Sequence, residues 1–104
     1  MPALLIKPGT ATFIGFPYPP NGKVKIFLEA SSSVDLFVCN EQQRPQISSV
    51  ADAQAKGIFV LGGQSKIDNA FVDIPAAWKG TSWYVLIGNA GAEAAAVYVT
   101  VNDA

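Results

Sequence analysis

An all-β fold, an antiparallel sandwich of jelly-roll-like type with about seven or eight strands, is predicted by three observations. Short runs rich in Val, Ile, Phe, Tyr and Thr recur along the chain, and turn signals separate them at roughly the 8–12-residue spacing of a sandwich. Two of these runs alternate apolar and polar residues with period two, which places successive side chains on opposite faces of a strand. The last quarter, from Trp78 to Val101, contains two β-branched and aromatic runs joined by a turn-rich segment, the pattern of a closing β-hairpin.

Leu4 to Ile6 reads as a short edge strand. Lys7-Pro8-Gly9 ends it, because proline lacks a backbone donor and glycine admits turn geometry. Thr10 to Phe16 is the next strand, and Pro17-Tyr18-Pro19-Pro20-Asn21-Gly22 is a rigid turn that no central strand could contain. Lys23 to Glu29 alternates most cleanly: Val24, Ile26 and Leu28 face the core, while Lys23, Lys25, Phe27 and Glu29 face away. Ser31-Ser32-Ser33 reads as a tight connection to a neighbouring strand, Val34 to Cys39, where Val34, Leu36 and Val38 point inward and Asp35, Phe37 and Cys39 outward.

Between Asn40 and Lys56 the alternation is lost. The segment is a long polar excursion, with a turn or two of helix near residues 47–55 carrying a thin apolar face of Ile47, Val50 and Ala51. Gly57 to Leu61 and Ala70 to Ile74 then read as two separate strands with Gly62 to Asn69 as the loop between them. Trp78-Lys79-Gly80 is the turn before the final pair. In that pair Trp83, Val85 and Ile87 share one face and Tyr84 and Leu86 the other, so both faces are apolar. This predicts a central strand whose outer face is covered or meets another chain.

The 104 residues are expected to form a single domain, residues 1–104, with one core. Half of them are hydrophobic and only 14% are charged, fewer than the roughly 25% of an average soluble domain. Seven basic and eight acidic residues, scattered singly, leave a net charge of -1 and give no footprint for nucleic acid or for an anionic membrane. The start lacks the basic region and long apolar run of a signal peptide, which predicts a cytoplasmic protein, or an exported one if the chain is part of a larger protein.

The chain has no histidine and one cysteine, Cys39, so a Ser-His or Cys-His catalytic pair and a single-chain zinc site are excluded. Cys39 itself reads as a small hydrophobe at a strand end. Asp68, Asn69 and Asp73 are too few and too separated for the six to eight oxygens of a calcium site. Gly62-Gly63-Gln64-Ser65-Lys66 lacks the spacing of a phosphate-binding loop. No catalytic residue, metal or cofactor is therefore expected, and the chain reads as a non-enzyme.

Three stretches resemble the small β-sandwich modules of the GOLD and bacterial pre-peptidase C-terminal type: Pro20-Asn21-Gly22-Lys23-Val24-Lys25-Ile26, Ser33-Val34-Asp35-Leu36-Phe37-Val38, and Gly80 to Asn89 followed by Val97-Tyr98-Val99-Thr100-Val101. The resemblance implies a non-catalytic accessory or interaction module. Aromatic residues supply the candidate site. Phe27, Phe37 and Tyr98 point away from the core, and with Trp83 and Tyr84 they are the expected interface for a second protein or a second copy of this chain, unless the excursion after Asn40 covers them. The alternative partner is a carbohydrate stacked on turn aromatics, Phe16, Tyr18 or Trp78.

Overall fold

The computed structural model describes residues 4–104. Residues 1–3, which belong to the expected single domain and to the start expected not to be a signal peptide, lie outside the described residues. The order of elements is β1 (Leu4–Ile6), β2 (Ala11–Pro17), β3 (Lys23–Asn40), α1 (Val50–Lys56), β4 (Ile58–Asp73), β5 (Ser82–Gly88) and β6 (Ala95–Asp103), with 3-10 turns at Arg44–Gln46 and Ala76–Trp78. The fold is mostly antiparallel β with one short helix, as the alternation predicted. Among the described residues it has six strands in one connected, nearly barrel-shaped sheet, where about seven or eight were expected.

The difference in count comes from two long strands that the sequence had divided. Ser31-Ser32-Ser33 does not turn the chain: extended serines carry β3 through without a break, as an irregularity where Glu29 pairs with Lys66 and Val34 with Gln64. Gly62 to Asn69 likewise stays in strand, so the expected pair of strands is the single 16-residue β4. Its irregularities are β-bulges, which admit extra residues without ending the ladder. Gly63, at φ 66°, lies in one of them, and its N–H donates to Asp35 Oδ1 at 2.9 Å. Asn69, at φ 54°, lies in another, where Asp68 and Asn69 together face Phe27.

The expected closing hairpin does not form. β5 and β6 do not pair with each other; both pair with β3, β5 along Asp35–Asn40 and β6 along Val24–Ala30. The six residues from Asn89 to Ala94 thus carry the chain from one half of β3 to the other. β4 borders the opposite edge of β3 over both halves, while β1 pairs with β6 and β2 with β5. Two flanks result: β1, β6 and the first half of β3 with the second half of β4, and β2, β5 and the second half of β3 with the first half of β4.

One core joins the flanks. Ile6, Val97 and Val99 from the first and Trp83, Val85 and Ile87 from the second belong to the same buried cluster as Val24, Ile26, Leu28, Leu36 and Val38 of β3. Inward and outward residues of β3 and β5 fall as the period-two pattern predicts. Asn89, the one buried polar residue among those described, fixes the crossing: its Nδ2 donates to the carbonyls of Ile6 (2.9 Å) and Glu93 (2.7 Å), and its Oδ1 accepts from the Gly91 N–H (3.0 Å). Its role is invisible in the sequence, where Asn89 reads as an ordinary turn residue.

Candidate interaction surface

The expected aromatic patch is divided between the two flanks. On the second flank the excursion folds back over the sheet. Ser49 caps α1 by accepting from the Asp52 N–H, and the Asp52 carboxylate accepts from the N–H and Oγ of Ser48, which holds its pKa below the usual carboxylate value. Ile47 and Ala53 then seal Phe37, Cys39 and Leu86 into a second buried cluster, with Phe13 and Tyr84 packed at its margin. Phe37 is 1% exposed and therefore offers no surface to a partner.

Glycines give these side chains room to lie close to the sheet. A Cβ at Gly88 would come within 3.2 Å of Val50, and one at Gly15, directly across from Tyr84 in the β2–β5 ladder, would come within 2.8 Å of the tyrosine ring. The Arg44 guanidinium sits 5.1 Å from the Phe13 ring centroid and 5.5 Å from that of Tyr84, a cation–π clasp that pins the excursion to the sheet. Burial pushes the Cys39 thiol up to about 11, with Arg44 opposing weakly. A thiol in that state is a poor nucleophile.

Trp83 is also internal. It lies in the main core, stacks at a tilt on Phe16 with ring centroids 5.4 Å apart, and donates from Nε1 to the Pro17 carbonyl at 2.9 Å. Of the five expected interface residues, Phe27 and Tyr98 alone stand on a bare face, the outer side of the first flank. There the register sets out three rows across β6, β3 and β4: Tyr98, Glu29 and Lys66; Thr100 and Phe27 against the bulge; and Asn102, Lys25 and Phe71. Tyr98 and Phe71 are each diagonal to Phe27, and diagonal neighbours lie about 7–8 Å apart, within reach of aromatic side chains.

Leu5 on β1, which pairs with Ala96, extends the diagonal to Leu5, Tyr98, Phe27 and Phe71. No described segment covers it. Leu5 is 70%, Tyr98 51% and Phe71 67% exposed, while Phe27 in the middle is half-buried. Leu5 and Phe71 were not among the expected interface residues, although the alternation of β1 already placed Leu5 opposite Leu4 and Ile6. Phe71 would have followed from the same rule once β4 was known to pair with Lys25.

The turn aromatics lie at one end of the molecule. Tyr18 lines an open cleft of about 610 Å³ with Pro19, Glu41, Lys79, Thr81 and Ser82. Its hydroxyl donates to the Ile74 carbonyl at 3.2 Å, which fixes the ring. Trp78 is buried in the core and shows only an edge to an adjoining hollow, and Phe16 is half-buried against Trp83.

Among the described residues no group of three or more His, Cys, Asp or Glu side chains gathers as a metal site, and no helix is long and apolar enough to cross a membrane. No family model matches the chain, and no curated protein matches it.

Proposed function

We propose that this chain is a non-enzymatic interaction module that docks on protein through the outer face of its first flank. The observation that carries the reading is the diagonal of Leu5, Tyr98, Phe27 and Phe71 on a face that no described segment covers. Large side chains that leave the core of a sheet are ordinary singly; several on neighbouring strands of one exposed face mark a binding surface. The absence of histidine and the buried, weakly acidic state of Cys39 support a non-catalytic role. On the same reading the fold is a jelly-roll-like sandwich related in plan to the GOLD and pre-peptidase C-terminal modules, with the bent β3–β4 pair shared by both layers.

The test is Phe71→Asp and Tyr98→Asp, at positions exposed enough to leave folding intact. Both variants are expected to keep the wild-type melting temperature while raising the solubility limit and reducing association in sedimentation velocity. Unchanged solubility and unchanged association would remove the reading.

The cleft beside Tyr18 favours a second function, saccharide binding, because a fixed aromatic ring with Glu41, Lys79 and Ser82 around it can stack on a sugar and bind its hydroxyls. Oligosaccharides at millimolar concentration should then perturb the amide resonances of Tyr18, Thr81 and Ser82. Silent spectra would dismiss it.

A further inference from the structure

We infer that the occupant of the bare face is a second copy of this chain, related by a two-fold axis that crosses β3 above Phe27 at right angles to the strands. The inference rests on the docking reading above and adds to it the partner and the geometry. Its basis is the arrangement of charge. Lys25 and Glu29 lie two residues to either side of Phe27 on the outer side of β3. Neither forms a salt bridge; the one among the described residues joins Lys23 and Asp73 at 3.6 Å.

An isologous contact sets the same patch against itself, so its symmetry decides which groups meet. With the axis at right angles to the strands, each Lys25 faces the second copy's Glu29, Tyr98 faces Asn102, and Lys66 faces Phe71, where an ammonium over a ring is attractive. Phe27 packs on Phe27 at the centre. With the axis along the strands, Lys25 would meet Lys25 and Glu29 would meet Glu29, which opposes association. Of these two axis directions, the first sets opposite charges against each other and the second like charges.

The contact is small. Strands about 4.8 Å apart and same-side residues about 6.8 Å apart give a patch below the roughly 800 Å² per partner of a standard interface, so association is expected only at high micromolar concentration.

The experiment is a charge complementation read by sedimentation equilibrium up to about 1 mM, the range a weak interface requires. Wild type should dimerise. Lys25→Glu alone and Glu29→Lys alone should each weaken the dimer at least about tenfold, since each turns both attractive pairs repulsive. An equimolar mixture of the two variants should recover wild-type affinity, because every facing pair is again opposite in sign. Weakened single variants whose mixture stays monomeric would overturn the two-fold geometry. A wild type monomeric at the highest concentration, with Phe71→Asp still raising solubility, would overturn the second copy as occupant and leave the docking face standing. Loss of the Phe71→Asp effect as well would remove the docking reading itself.

Discussion

The large apolar residues that point outward on the two flanks began with the same sequence signature and ended in opposite environments. Phe37 and Leu86 alternate with core residues just as Phe27 and Tyr98 do. The first pair lies under Ile47 and Ala53, inside a cluster closed by Arg44 and α1. The second pair lies on a face with no cover. Period-two alternation thus determines which side chains leave the main core, whereas burial on the far side depends on whether a connection long enough to fold back happens to adjoin that half of the sheet. Here the excursion after Asn40 adjoins only the second half of β3.

The contrast is sharpest in stability. Leu86→Ala, which opens a cavity under α1, should cost about 2–5 kcal/mol, while Phe71→Ala on the bare face should stay within about 0.5 kcal/mol. Urea titration of both would break the comparison if the two values were alike. Asn89→Ala should cost about 2–3 kcal/mol, since it strips partners from the Ile6 and Glu93 carbonyls and the Gly91 N–H where the chain crosses between flanks.

Alkaline pH tests the covered flank through Cys39. The Cys39 pKa is raised from 9.0 to about 11 on folding, so the thiol is neutral in both states below pH 9 and ionises first in the unfolded chain. Stability is then fully present below pH 9 and falls by on the order of 2 kcal/mol as pH rises towards 11. Denaturation of wild type and Cys39→Ala at pH 8 and pH 10.5 should show a loss larger in wild type, and equal losses would reject the burial assignment. A smaller loss on the covered flank belongs to Arg44→Ala, about 0.5–1 kcal/mol from the cation–π clasp, with faster amide exchange confined to residues near Arg44 and α1.

Much of this was legible in the chain. The alternation of Lys23 to Glu29 and the division of Trp83, Val85 and Ile87 from Tyr84 and Leu86 gave the correct faces, because side-chain direction in a strand is local. Strand length was not legible. Gly62-Gly63, Asp68-Asn69 and Ser31 to Ser33 carry the composition of turns, yet the long ladder between β3 and β4 holds them in extended or bulged form. Pairing was not legible either: β5 and β6 are adjacent in sequence with a turn between them, and only their shared, non-local partner β3 keeps them apart. The cover over Phe37 was concealed by its thinness, since few apolar residues in a polar stretch suffice to seal it.

The dependence of β4, β5 and β6 on β3 also sets the order in which the molecule can assemble. During synthesis β3 emerges early, and its first neighbour, β4, can join it as soon as residues up to Asp73 are free. The remaining ladders must close over separations of tens of residues, and the last joins Leu4 to Val97. Such long-range closure makes folding slow for a chain of this size. Until Ala95 to Asp103 has been made, one edge of the first half of β3 stays unpaired, and the interval in which the chain is open to misassociation is set by the arrival of its last strand.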